Sequence, residues 1–167
     1  MCGIAGYFNP DQNYAENPKQ NFHTLSRMIN TMNHRGPDTY GHTIINSCCL
    51  AHTRLSIIDL ENGRQPMSYT KDGNTYYIVY NGEIYNYKEV KKTLLRKNYT
   101  FETNSDTEVI IAAFCHYGPG FIKELNGIFA IAIYDSMRNT LYLYRDRFGV
   151  KPLYYTKTGD TLVFASR

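Results

Sequence analysis

Cys2 is the residue whose position in this sequence carries the most chemistry. It follows Met1, and a small side chain at the second position permits the initiator methionine to be removed. Removal leaves a thiol and a free α-amine on one residue, with ordinary pKa values of ~8.5 and ~7.7–8.0. That amine can take up the thiol proton through a water and later deliver it to a leaving nitrogen. One residue then supplies nucleophile and base, with no histidine required. Asn81-Gly82-Glu83 follows a strand-like stretch at residues 76–80. A side-chain amide beside a glycine N–H can form an oxyanion hole, and Asn-Gly is equally a common turn pair. Arg54 heads Arg-Leu-Ser-Ile-Ile-Asp, where its guanidinium can hold a carboxylate in two parallel hydrogen bonds or pair with Asp59. Asp106, in Ser105-Asp106-Thr107-Glu108, can meet a ligand's cation or simply favour a helix amino terminus. As a set, these groups suit cleavage of the side-chain amide of a free amino acid.

The elements that must hold these residues can be read from periodicity. Gly3–Phe8 is a short apolar opening strand, and residues 9–19, rich in Asn, Pro and Asp, form an exposed excursion. Phe22, Leu25, Met28, Ile29 and Met32 recur with a helical period, and the helix must end near His34 because Gly36-Pro37 cannot continue it. Residues 43–45, 49–52, 56–58 and 76–80 are strand-like, with a hairpin turn at Asp72-Gly73-Asn74. Tyr87, Val90, Leu94 and Leu95 mark a second helix. The Ser105-x-x-Glu108 spacing of a capping box opens a third, which Gly118 closes. Residues 128–134 are almost unbroken apolar, the pattern of a strand covered on both faces. Thr140–Arg145 alternates, and residues 162–165 finish the pattern. Strands in two blocks with helices between them, and no regular βαβ alternation, predict an α+β fold of mostly antiparallel sheets. Two sheets stacked face to face and flanked by helices would cover the apolar strand twice.

Composition bounds the rest. The 167 residues, with 43% apolar and 20% charged, suit one domain with no room for a second full core and are too apolar for a disordered tail. No apolar run approaches the ~20 residues of a membrane helix, and no charged-then-apolar leader precedes the first strand. A cytoplasmic address with no membrane partner is therefore expected. The net charge of +3 is scattered, and Lys91, Lys92, Arg96 and Lys97 read as one solvated helix face, so no nucleic-acid partner is expected. Cys2, Cys48, Cys49 and Cys115 form no C-x-x-C and read as reduced thiols. Cys49 and His52 have ligand-like spacing without a second pair, so no metal site is expected. Cys48, Cys49 and Cys115 lie in apolar stretches and read as small core residues.

Several longer motifs occur in order: Met1-Cys2-Gly3-Ile4, His34-Arg35-Gly36-Pro37-Asp38, Arg54-Leu55-Ser56-Ile57-Ile58-Asp59, Asn81-Gly82-Glu83-Ile84-Tyr85-Asn86, Ser105-Asp106-Thr107-Glu108, and Arg145 through Tyr155. With these, residues 2–166 resemble the amino-terminal glutaminase domain of class II glutamine amidotransferases, specifically that of the glutamine-hydrolysing asparagine synthetases. The resemblance implies an N-terminal-nucleophile hydrolase fold, a four-layer αββα sandwich. It implies that Cys2 attacks the side-chain carbonyl of L-glutamine while Asn81 and Gly82 stabilise the oxyanion. Arg54 would hold the α-carboxylate, Glu83 and Asp106 the α-ammonium, and the backbone around Ser56, Ile57 and Ile58 would line the same pocket. Ammonia would leave, and water would release glutamate from a Cys2 thioester. No cofactor is implied for this domain. ATP and magnesium would serve a following synthetase domain that amidates aspartate, for which this chain has no phosphate-binding Gly-rich loop. A homodimer is implied as well. The alternatives are an amidotransferase domain for another acceptor, or a non-catalytic module that senses glutamine. The His34–Asp38 motif reads as a structural or gating loop. Arg145, Asp146, Arg147 and Lys151 are expected to form ion pairs that brace the sheet or face a partner domain.

Overall fold

The computed structural model describes residues 2–32, 39–54 and 63–167, with Thr39 and Arg54 described by backbone alone. The chain runs β1 (Gly3–Phe8), α1 (Pro18–Asn30), β2 (Thr39–Ile45), β3 (Cys48–Arg54), β4 (Met67–Lys71), β5 (Asn74–Ile84), α2 (Tyr87–Leu95), α3 (Asp106–Tyr117), β6 (Gly127–Asp135), β7 (Thr140–Arg145), β8 (Tyr154–Thr158) and β9 (Thr161–Ala165). Short 3-10 turns occupy Tyr14–Glu16 and Gly118–Glu124. One sheet has the order β2-β3-β1-β9-β8 and the other β4-β5-β6-β7, and every described pair is antiparallel.

Three apolar clusters define four layers. Leu25 and Ile29 of α1 pack on Tyr7, Cys49 and Ala51. Between the sheets, Ile4, Leu50 and Phe164 meet Val79, Ala130, Ala132 and Tyr134. On the far face of the second sheet, Ile78, Tyr80, Ile131 and Ile133 pack on Val90, Leu94 and the buried body of α3. The predicted α+β sandwich of αββα type is therefore what forms. The alternation of β6 explains its apolar run: Ile131 and Ile133 enter the helix layer, whereas Ala130, Ala132 and Tyr134 enter the inter-sheet layer. Each buried isoleucine among these contributes about 1.5–3 kcal/mol relative to leaving it in water.

Local chemistry accounts for the connections. Asp72 (φ 51°) and Gly73 (φ 80°) form a two-residue loop closed by the Lys71–Asn74 pair, the left-handed turn that matches strand twist. Ser105 caps α3 by accepting from Thr107 N at 3.1 Å. The capping box is only half made, because Glu108 turns to the backbone N–H groups of Glu102 and Thr103 at 2.8 and 2.7 Å. Gly118, at φ 70°, ends α3 as expected.

Other expectations need correction. Pro18 and Lys19 belong to the first turn of α1, where proline lacks only an N–H that would go unused. Within the same stretch Asn9 is buried, donating to Thr161, and Tyr14 packs edge-on against Tyr7. The helix α1 stops at Asn30, short of His34, which lies outside the described residues with the rest of its motif, as does the strand expected at 56–58. Leu95 is exposed rather than core, since Val90 and Leu94 already fill that face of α2. Strands β4 and β8 were not separately expected. Both are edge strands, and every residue of β8 is exposed, so it lacks an apolar period. Among the described residues Asp146 forms no ion pair; its carboxylate accepts from the backbone N–H groups of Phe129, Phe148, Val150 and Lys151 at 2.9–3.2 Å. Arg145 likewise donates to the carbonyls of Gly149 and Lys151.

Candidate active site

A cavity of about 540 Å³ opens where the amino end of β1, the far end of β5 and the amino terminus of α3 converge. Cys2, Gln65, Tyr80, Gly82, Glu83 and Asp106 are among its walls. Cys2 immediately precedes β1 and continues the parity of Ile4 and Phe8, the residues that face the second sheet. Gly3 fixes that end of the strand by donating to Thr53 Oγ1 at 3.0 Å, and Ile4 N donates to Ser166 Oγ at 2.9 Å.

Hydrogen-bond parity along β5 decides which groups reach the cavity. Phe129, opposite Gly82, has both main-chain groups occupied by Asp146: its N–H donates to the carboxylate and its carbonyl accepts Asp146 N. On the same parity Tyr85 N donates back to Asn126 O, so odd-numbered residues of β5 face β6 and even-numbered ones face the other edge. Pairing with β4 ends at Ile78. Beyond it the edge carries three N–H groups, and side chains take two. Gln65 Oε1 accepts from Tyr80 N at 2.5 Å, and Asp106 Oδ2 accepts from Ile84 N at 3.4 Å. Between them, Gly82 N–H faces the same edge by this parity, and Gly82 lines the cavity. A Cβ at Gly82 would lie 2.1 Å from Ile128 O and 2.7 Å from Phe129 Cα, so only glycine allows this approach of β5 to β6.

Asn81 points to the opposite side of β5, into the layer shared with Val79 and β1. It is 3% exposed, and its Nδ2 has no hydrogen-bond partner among the described residues. A buried donor left unpaired costs about 1–3 kcal/mol, which marks the position as one kept for something other than stability.

The electrostatics centre on Asp106. Burial raises its carboxyl above the ordinary value of 3.8, and the nearby Glu83 charge adds to this; donation from Tyr80, Ile84 and Thr107 offsets part of the shift. Tyr80 is 4% exposed and donates its hydroxyl to Asp106 Oδ2 at 2.9 Å. Burial, then the Asp106 charge, drive the Tyr80 phenol far up, so it remains a donor throughout the working pH range. Elsewhere burial pushes the Cys49 thiol up to about 11 and the Cys115 thiol up to about 12, and that of Cys48 well above its ordinary value. Cys48 and Cys49 are buried core side chains, as expected, whereas Cys115 is half-buried and packs against the outside of the helix-layer cluster.

Of the residues singled out in the sequence, the structure brings Cys2, Gly82, Glu83 and Asp106 around one cavity and sets Asn81 behind it. Arg54 ends β3, and its side chain, like Ser56, Ile57 and Ile58, lies outside what is described. Tyr80 and Gln65 were not foreseen as site residues. Tyr80 reads as one more strand aromatic, and Gln65 reaches β5 only through tertiary contact. Among the described residues no group of three or more His, Cys, Asp or Glu side chains could hold a metal ion, and no helix is long and apolar enough to cross a membrane.

Two stacked antiparallel sheets between helix layers, with Cys2 immediately ahead of the first strand, make up the domain. Residues 1–167 match the glutamine amidotransferase domain model, and the chain belongs to that family. It is 41% identical over 166 residues to asparagine synthetase [glutamine-hydrolyzing] 3 of Bacillus subtilis, covering 99% of this chain and 26% of that protein. It is 40% identical to asparagine synthetase B [glutamine-hydrolyzing] of Escherichia coli, covering 98% and 28% respectively. The chain thus spans about a quarter of the length of these relatives, corresponding to their glutaminase part. The glutamine phosphoribosylpyrophosphate amidotransferase of B. subtilis superposes with a TM-score of 0.75 over 99% of this chain and 42% of that one. At 20% identity, that likeness concerns the fold.

Proposed function

We propose that this domain hydrolyses L-glutamine to L-glutamate and ammonia through a Cys2 thioester, and that the ammonia serves amidation of aspartate by an ATP- and magnesium-dependent synthetase domain. The observation that carries the reading is that Cys2 shares one cavity with Gly82, Glu83 and Asp106, while Asn81, next to Gly82, keeps a buried side-chain amide without a partner among the described residues. The Cys2 sulfur would attack the side-chain carbonyl as its proton passes to the residue's own α-amine. The carbonyl oxygen, now an anion, would accept from Gly82 N–H and Asn81 Nδ2. Collapse would break the C–N bond, with the amine's proton leaving on ammonia. Water would then add to the thioester, releasing glutamate and restoring the thiol. Asp106 and Glu83 would hold the α-ammonium, and Arg54 the α-carboxylate. Free thiols at Cys2, Cys48, Cys49 and Cys115 favour a reducing compartment, so the cytoplasm is the proposed address.

The test is intact mass and glutamate release measured on one preparation. Loss of Met1 together with glutamate release supports the amino-terminal thiol mechanism. A fully processed chain that binds glutamine without turning it over would overturn it in favour of a sensing module. The acceptor is tested separately, by asparagine formation from aspartate, ATP and glutamine in a protein that carries the synthetase domain.

A further inference from the structure

An exposed strand edge offers every other N–H to whatever is nearby. On β5 that edge opens immediately beside Cys2, yet it is not left open. The side chain of Gln65 occupies the place a continued β4 would have taken. Its Oε1 accepts from Tyr80 N at 2.5 Å, while its Nε2 donates to Thr107 Oγ1 in the first turn of α3 at 3.3 Å. Four residues further along β5, Asp106 from that same turn accepts from Ile84 N. Tyr80 closes the bracket by donating its hydroxyl back to Asp106. Gln65 is in turn pressed from behind by the other sheet, since a Cβ on Gly41 of β2 would lie 1.9 Å from Gln65 O.

We propose that Gln65 is a positioning residue of the glutaminase reaction: its amide replaces the missing stretch of β4, ties the β5 edge to α3, and leaves Gly82 N–H as the single edge donor aimed into the Cys2 cavity. The inference rests on the glutaminase reading above. Its physical content is differential. The ground-state carbonyl needs little from Gly82 N–H, whereas the tetrahedral oxyanion needs its full alignment. Loosening the bracket should therefore act on turnover and leave the grip on substrate nearly unchanged.

Gln65→Met keeps the length of the side chain and removes its amide; Thr107→Val keeps the shape of Thr107 and removes the hydroxyl that Gln65 holds. Three measurements would be made on wild type and on both variants: glutaminase kcat and KM, affinity for an aldehyde analogue of glutamine, and affinity for glutamate. The aldehyde forms a tetrahedral adduct with Cys2 and so places an oxygen where the oxyanion forms. Gln65→Met is expected to lower kcat and aldehyde affinity at least about tenfold, with KM and glutamate affinity within about twofold. Thr107→Val should show the same signature, more weakly. Hydrogen exchange at the Tyr80 amide should rise in Gln65→Met. Unchanged kcat, unchanged Tyr80 exchange, or an equal loss in aldehyde and glutamate affinity would each overturn the assignment. A failure of the underlying glutaminase reading shows separately, as wild-type protein that neither turns glutamine over nor binds the aldehyde.

Discussion

In the proposed mechanism Asn81 and Asp106 would both trade stability for chemistry, in opposite electrostatic senses. The Asn81 amide is buried with its Nδ2 unpartnered. Asn81→Ala is therefore expected to lower kcat by ~10²–10³, or about 3–4 kcal/mol of transition-state binding. It should leave the urea midpoint unchanged or raised, because an unsatisfied donor is removed. A loss of stability as large as the loss of rate would count against an oxyanion role. Asp106 has its carboxyl raised, first by burial and then by Glu83. Its ionised form is disfavoured in the folded state, so the cost to stability is present at neutral pH and disappears as pH falls through the raised folded value to below the unfolded one. In the proposed role, Asp106 would need its ionised form to hold the α-ammonium of glutamine. KM should accordingly rise on the acid side at a pH above the ordinary carboxyl range, while kcat holds. Asp106→Asn should raise KM at every pH, abolish that acid limb, and leave the melting temperature equal or higher. Both residue types were legible as ligand-binding candidates in the sequence. The Tyr80 hydroxyl that donates to Asp106 was not, because Tyr80 reaches Asp106 only by tertiary contact.

At the scale of elements, the recurring device is a side chain that substitutes for a missing strand or ion. Gln65 and Asp106 do this on one side of β5, and Asp146 does it on the far side of β6, opposite Gly82. Burial by itself would raise the Asp146 carboxyl, but the four backbone donors outweigh it and hold it below its ordinary range. A depressed folded value contributes stability above the unfolded pKa, lost as pH falls through the folded one. Asp146→Asn replaces a carboxylate that satisfies four N–H groups with an amide having one acceptor oxygen. It should cost about 1.5–3 kcal/mol per bond lost to a charged acceptor, and more than one bond goes. Denaturant midpoints measured from neutral to acid pH would check this: the gap between variant and wild type should narrow as the pH falls. The sequence shows charges crowded around a turn there and suggests ion pairs. It does not show that backbone N–H groups converge on one carboxylate, since convergence depends on the path of residues 146–151 against β6.

At the scale of the whole fold, strand β1 is tied to the segment after β9. Ser166 is fully buried; its Oγ accepts from Ile4 N and its own N–H donates to Ile4 O, both at 2.9 Å. This lock lies two residues from Cys2, so the placement of the proposed nucleophile depends on Ser166. Ser166→Ala leaves Ile4 N–H buried without its acceptor and should cost about 1–3 kcal/mol. Global unfolding free energy and glutaminase rate should fall together in that variant. A variant with wild-type stability would show that the lock does not hold β1 in place.

By itself, the sequence determined the cast and most of the elements: the amino-terminal thiol, the Asn-Gly pair, the capped acidic turn, the left-handed Asp72-Gly73 hairpin, and the apolar run that had to be a doubly covered strand. Those follow from local rules, in which residue type, backbone freedom and period 2 or 3.6 suffice. The tertiary structure alone decided which donors stay free. Gly82 N–H faces an edge without a paired strand because β4 stops at the residue paired with Ile78 and because Phe129 is taken up by Asp146. Asn81 is unpaired because the parity of β5 turns it between the sheets. Each of these is a question of what fails to arrive at a hydrogen-bonding group, and it is settled only when distant segments have packed.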